Sequence, residues 1–334
     1  MATVTTYSSI SPRTNAYAVA RLLKRALPFL VLEKFGQTYV LPRNKTDVAK
    51  FRRYNALPIN TTPLTEGVTP NGQALTVTDY TATLTQLGDY VTITDVIQDT
   101  HEDPVLQEAS AILGEQAAQS IETMRWGILT ACTNVFYANG SVTTAVNTVI
   151  SLTHQRAVTR ALSSQNTRPI TSVVRSTPDW GTVNVQAGYV GLVHPNLEND
   201  LRNMTNFVSV ENYGSLSPWE NEIGKVENVR YLSSTIFAPT ANGGGAISGL
   251  ATPVLSTGGT NADLYQVLYV GRDSYGIVPL KGMNAVEIMV VNPHAAPSDP
   301  LGQRGTAGWK TMQTAVILND AWMALLNVAC SALQ

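Results

Sequence analysis

The residues with the best claim to chemistry lie in DPLGQRGTAGWKT, positions 299–311. Gly302, Gly305 and Gly308, with Lys310 and Thr311 behind them, have the composition of a loop that cradles phosphate. Such a loop needs its lysine directly after the last glycine, so that backbone amides and ammonium converge on one anion. Here Trp309 separates Gly308 from Lys310. A phosphate loop also opens a helix. The following WKTMQTAVILNDAWMALLNVA is rich in β-branched residues and broken at Asn319-Asp320, which predicts two strands around a turn.

Other reactive side chains do not converge. His101, His154, His194 and His294 are scattered, with no second histidine at metal-ligand spacing. HED at 101–103 fails H-E-x-x-H because residue 105 is Val105. His194 at a strand end could be a base, but no nucleophile motif such as G-x-S-x-G accompanies it. The acid pairs Glu198/Asp200 and Glu220/Glu222 have no apolar pocket signature around them. Cys132 and Cys330 read as reduced, buried, small hydrophobes. The expectation is a protein that is not an enzyme, with no catalytic, metal or cofactor residue.

Composition fits that expectation. Of 334 residues 14% are charged, against roughly 25% in soluble domains generally. The deficit is filled by uncharged polar and small residues, as in large assembly interfaces. Residues 1–60 carry ten basic and two acidic side chains, and the rest carries 12 basic and 22 acidic. A basic front and an acidic body suit head-to-tail contact between copies, or contact with nucleic acid. A solvated basic arm is the plainer alternative. The first residues lack a signal-peptide pattern, and no apolar run approaches the ~18 residues of a membrane span. The expected compartment is a reducing cytoplasm.

The elements that must position these residues follow from periodicity. A polar arm leads into helical spacing at Ala18, Leu22, Leu23 and Ala26, broken by Pro28. Residues 35–98 are threonine-rich and alternating, with turn signals at TPNGQ and LGDY, and predict a long two-stranded excursion. A hairpin of that length is not stable alone in water, so it needs another surface. The clearest element is a helix over 104–137, capped by Asp103 with Pro104 at its first position. Its apolar stripe includes Val105, Ala109, Ile112, Leu113, Ala117, Ile121, Met124 and Ile128. Glu115 and Glu122 on this helix read as solvated. A shorter helix is expected from Ser151, a strand and short helix around His194, and a turn at Gly224 before a strand to Leu232. The glycine-rich 241–263 reads as a flexible surface tip. Further strands are expected in LYQVLYVGRDSYGIVPLKG and AVEIMVV.

Three segments together, ENEIGKVENVRYLSST (220–235), LYQVLYVGRDSYGIVPLKG (264–282) and DPLGQRGTAGWKTMQTAVILNDAWMALLNV (299–328), resemble the major capsid proteins of tailed phages. Within these the chain is similar to the family typified by the capsid protein of the coliphage N-four. The matching structural turns are Gly224, Lys225, Asp299, Pro300, Gly302, Gly305, Gly308, Trp309, Lys310 and Asn319. That family's glycine-glutamate-isoleucine-glycine turn stands here as NEIG, with Asn221 first.

The resemblance implies an α+β chain of the Hong Kong 97-type capsid fold. Its parts would be an N-terminal arm (1–34), an extended β-hairpin loop (35–98), a peripheral domain with the spine helix 104–137 (99–188), an axial domain (189–270), and a return to the peripheral domain with a closing hairpin (271–334). It implies a shell protein enclosing the genome of a double-stranded DNA phage, assembled in the bacterial cytoplasm and located in the virion. Implied partners are copies of itself in hexamers and pentamers, a separate scaffolding protein, a portal, decoration proteins, and packaged DNA held non-specifically, with no membrane. The extended loop would lie on a neighbouring subunit. Candidate basic contacts between subunits are Arg21, Lys24, Arg25, Arg43, Lys45, Arg52, Arg53 and Arg304. Trp309 would pack beside the spine helix, with Arg304 and Lys310 facing acidic groups. A shell of the same fold storing an enzyme, or a nucleotide-binding enzyme using 302–311, are the alternatives.

Overall fold

The computed structural model describes residues 30–96, 105–174, 182–213, 218–280, 286–291, 293–294 and 299–333. The expected arm helix, its Pro28 break, the cap at Asp103-Pro104 and His101 lie outside the described residues, as do Arg21, Lys24 and Arg25.

In chain order the elements are β1 (Gln37–Thr38), β2 (Val48–Tyr54), β3 (Val77–Thr83), β4 (Thr85–Thr94), α1 (Val105–Leu129), β5 (Val135–Tyr137), α2 (Leu152–Ser164), β6 (Ile170–Val174), β7 (Thr182–Val193) and α3 (Glu198–Arg202). They continue as β8 (Phe207–Ser209), β9 (Glu222–Val226), β10 (Val229–Ser233), β11 (Tyr265–Val270), β12 (Tyr275–Pro279), β13 (Val286–Val291), β14 (Arg304–Ile317) and β15 (Met323–Val328). The chain is thus α+β, with three sheets among the described residues.

The eight-stranded sheet runs β5-β15-β11-β7-β10-β9-β8, with β6 also on β7. Both faces are covered, and the two-residue strand period sorts side chains between two cores. Tyr265, Val267 and Tyr269 of β11 face one, with Tyr231 of β10 and Leu326 of β15. Leu268 and Val270 face the other, with Leu232 and Leu325. Helix α2 closes the first core through Val158 and Leu162. Its cap is as expected, because Ser151 Oγ accepts the His154 amide. The buried Gln155 bonds both the Val226 carbonyl and the Tyr231 hydroxyl, at 2.9 and 2.8 Å. Each wholly buried apolar side chain contributes about 1.5–3 kcal/mol, while such polar links specify one docking of helix on sheet.

The five-stranded sheet runs β1-β12-β14-β13, with β4 along the other edge of β14. Helix α1 lies on it, burying Leu113 and Ala117 against Ile93, Ala307 and Trp309. Its C-terminal Trp126 and Leu129 reach the second core of the larger sheet, where Tyr275 and Ile277 of β12 also pack. The spine helix therefore bridges both sheets. Sheet membership cuts across the boundaries expected at 189 and 271, since β5, β6 and β15 all belong to the eight-stranded sheet.

Four readings change. Helix α1 stops at Leu129 instead of 137. Thr130 bonds back to the Trp126 carbonyl, the Asp320 carboxylate takes the Thr133 amide, and Val135–Tyr137 pairs in parallel with Leu325–Asn327. A three-residue β-branched and aromatic run thus prefers a ladder to another helical turn. The closing strands are present but form no hairpin: β14 and β15 enter different sheets, joined by the Asp320–Trp322 turn. LGDY is the middle of β4, not a turn, so only β2 and β3 make the free hairpin. The glycine-rich segment packs on the chain at 145–146, where a Cβ on Gly244 would sit 2.3 Å from the Val146 carbonyl oxygen. Asp263 ties it further, accepting the Asn242 and Thr257 amides.

Candidate assembly interface

The hairpin β2–β3 pairs seven residues a side, from Val48 opposite Thr83 to Tyr54 opposite Val77. Its root is buried: Leu41, Ala49, Ala82 and Leu84 pack on Val278 of β12. Its far end is not. Ile59 is 92% exposed and Leu64 77%, with Leu57, Val68 and Leu75 also open in the long connection 55–76. These are exposed apolar side chains on one long connection, a pattern found at contact surfaces, and a lone two-stranded ribbon is marginal in water.

The candidate basic contacts have different situations. Arg52 is held within the hairpin by Asp79, Nε to Oδ1 at 2.8 Å and Nη2 to Oδ2 at 3.1 Å. This fork holds the Asp79 carboxyl below its ordinary range. Arg53 lies over the Tyr80 ring at 5.6 Å. Arg43 and Lys45 are exposed on the loop before β2, and Arg304 is exposed at the start of β14. Arg43, Lys45, Arg52 and Arg53 thus lie on the hairpin or the loop before it, whereas Arg304 lies on the five-stranded sheet opposite Thr94.

The stretch 299–311 splits into a turn and a strand. Asp299, Pro300 and Gly302 make the turn: the Asp299 carbonyl accepts the Gly302 amide, its carboxylate accepts the Arg304 amide, and Gly302 has φ +67°. Gly305, Gly308, Trp309 and Lys310 are not turn residues, because β14 has already begun and is flanked by β13 and β4. Gly308 is needed for close approach: a Cβ there would lie 2.8 Å from Tyr90 Cβ. Gly88 answers it on β4, where a Cβ would lie 2.7 Å from the Trp309 carbonyl oxygen. Trp309 packs beside α1 as expected, and its Nε1 donates to Gln116 Oε1 at 3.1 Å. Gln116 Nε2 in turn donates to Asp89 Oδ2, so one polar chain ties β14, α1 and β4. Lys310 is half-buried and sits between Gly88 and Glu287 in register. A strand paired on both edges cannot wrap a phosphate.

Gly224 is likewise a strand residue, in β9. A Cβ there would meet the Phe207 ring at 2.5 Å. The turn falls at Glu227, with φ +52°. Lys225 lies over the Tyr213 ring at 5.5 Å. Asn319 closes the exit of β14, its amide donating to the Ser274 carbonyl. His194 caps the short turn at 195–197 by accepting the Asn196 amide, and burial pushes its pKa down. Among the described residues no three His, Cys, Asp or Glu side chains could share a metal ion. No described helix is long and apolar enough to cross a membrane.

Sequence reasoning missed buried carboxylates, Asp200 and Asp263 and, more deeply enclosed, the side chains of Glu222 and Glu122. Glu222 is fully enclosed and forks with Arg230, at 2.7 and 2.6 Å. It also accepts the Tyr213 hydroxyl and the Trp219 amide, while Trp219 stacks 3.9 Å over the Arg230 guanidinium. Glu122, read as solvated, is also fully buried. Its Oε1 accepts the amides of Val31 and Leu32 at 2.8 and 2.6 Å, and Arg125 lies one turn on. Burial pushes the Glu122 carboxyl up, against the pull of Arg125 and those two amides. The available signal was positional: Ala118, Glu122, Arg125 and Leu129 share one helical face.

A sequence profile described as phage capsid protein matches residues 78–328. No curated protein matches the chain. Among solved structures, the capsid of cyanophage Pam1 is 15% identical, with a TM-score of 0.59 over 98% of both chains. The capsid of Ralstonia phage GP4 is 12% identical, TM-score 0.57, over 100% of both. The head of Helicobacter pylori phage KHP40 is 11% identical, TM-score 0.59, over 88% of this chain and 87% of that one.

Proposed function

The chain belongs to the phage capsid protein family, with the Hong Kong 97-type fold, and from that premise we propose how it works as the major capsid protein of a tailed phage head. The carrying observation is the family match from 78 to 328, running from the return strand of the hairpin through the last strand. Many copies would repeat one set of contacts in hexamers and pentamers, so that modest individual interfaces close into a durable shell.

The hairpin supplies the contact between neighbours. Its apolar end, from Leu57 to Leu75, docks on the next subunit, and Arg43, Lys45 and Arg53 add steering to that subunit's acidic body. Arg52 contributes mainly to the hairpin itself, through Asp79. The peripheral unit is built on α1 and the five-stranded sheet, and the axial unit on the eight-stranded sheet. A scaffolding protein, a portal, decoration proteins and packaged DNA are further partners of this reading, with assembly in the host cytoplasm. DNA contact would be through backbone charge and salt-dependent. The chain's role is structural, and no enzymatic step is assigned to it.

Size-exclusion chromatography with negative-stain microscopy of the purified chain, alone and with its scaffold, tests this. Closed shells, rings or tubes are expected. A small species that never assembles, or shells filled with a protein cargo in place of DNA in the virion-producing cell, would count against it.

A further inference from the structure

The segment from Val31 to Phe35 is attached to the body in an unusual way. Val31 and Leu32 have no exposure and belong to the core shared by both sheets. Yet their amides are satisfied by one side chain, Glu122 of α1. The Leu32 carbonyl accepts the Tyr275 hydroxyl of β12 at 2.5 Å. Lys34 reaches Glu220 at 2.6 Å, and the Phe35 ring lies 5.2 Å from Trp219. A regular ladder begins only at Gln37–Thr38, two residues long, on β12. Side chains from three separate elements thus replace the backbone pairing that would weld a segment into a sheet.

The polar groups around it are incompletely matched. Arg125 is 3% exposed and donates to Gln313 Oε1 at 2.7 Å. Its Nη1 stands 3.5 Å from Glu33 and 3.6 Å from Glu122. Among the described residues, Glu122 Oε2 and Arg125 Nε and Nη1 are buried without a hydrogen-bond partner. Buried, unsatisfied ionic atoms favour any state that returns them to water. Glu33, on the segment itself, is half exposed, so water stands one side chain away. Burial of Val31 and Leu32 opposes opening, whereas hydration of three polar atoms favours it.

We propose that Val31–Phe35 is a latch that opens as a unit while both sheets stay folded, with Glu122 as the positioning residue that holds it closed. Open, it would release Val31–Phe35 from the spine helix while β1 stays paired with β12. Closed, it fixes the angle at which the chain enters the body. This goes beyond the shell reading and stands or falls separately from it, because it concerns a single subunit.

Amide hydrogen exchange on the full chain tests the latch. The Val31 and Leu32 amides should exchange at least about tenfold faster than those of Tyr231 and Tyr269 in β10 and β11, as a local opening requires. Glu122→Ala should speed Val31 and Leu32 by a further tenfold or so and leave β10 and β11 unchanged. Glu122→Gln, which keeps a carbonyl acceptor, should fall between. Leu162→Ala, a cavity in the other core, should instead lower protection of β10 and β11. Equal protection of Val31, Leu32 and the sheet amides in the unaltered chain would overturn the proposal, and that result needs no variant to fold. So would loss of protection in β10 and β11 by Glu122→Gln to the same degree as at Val31 and Leu32.

Discussion

Gly308 shows how much a single residue type carries. Its Cβ would collide with Tyr90, so Gly308→Val should push β4 off β14 and prevent shell formation. Soluble yield and electron microscopy would report it, and normal particles would refute the assignment. Glu122 carries an opposite kind of constraint. Removing it as Glu122→Ala leaves the Val31 and Leu32 amides without their acceptor, while Arg125 keeps Gln313 and Glu33 nearby, so the urea midpoint of the body should stay close to that of the unaltered chain. The thiols are constrained by burial: Cys132 is pushed up to about 11 and Cys330 to about 12. Both should therefore resist a thiol reagent at pH 8 until the chain is unfolded. Because the folded thiol holds its proton longer, Cys132's contribution to stability should be lost as pH rises from 9.0 to about 11. Burial of the cysteines was legible in the sequence. Glu122 was not, because a carboxylate on an otherwise plausible helix reads as solvent-facing unless its place on the apolar face outweighs its charge.

At the scale of elements, periodicity revealed the spine helix, the capped α2, the strand-and-helix around His194 and the long final strands. It misjudged glycines. In Gly88, Gly224, Gly305 and Gly308 the missing Cβ admits a neighbouring backbone or ring, whereas in Gly302 it allows a positive φ; one letter serves both needs. The closing pair misled for a different reason. Asn319-Asp320 is a real turn, but it delivers β15 to the other sheet, and adjacency in sequence carries no information about that. The hairpin was correctly seen as needing support, though β4 proved to belong to the body. Replacing 57–75 with a short glycine-serine linker should therefore leave the body folded by circular dichroism, with its melting point within a few degrees, and abolish closed shells. A collapse of the body would show that the loop's role is internal.

For the whole molecule, α1 bridges the two large sheets, and the hairpin β2–β3 is rooted on β12 with exposed apolar residues in its connection. The charge asymmetry between residues 1–60 and the remainder led to an expectation of contact between copies but gives no geometry for it, because a subunit's own sequence holds only half of each interface. The fold was legible as an order of parts. The packing of α1 across both sheets required coordinates. The most direct test of the account is cryo-electron microscopy of particles formed by the unaltered chain. The prediction is an icosahedral shell in which residues 55–76 of each subunit lie on the adjacent subunit. Particles in which that connection folds back on its own body, or a chain that stays a small uniform species with its scaffold present, would contradict it.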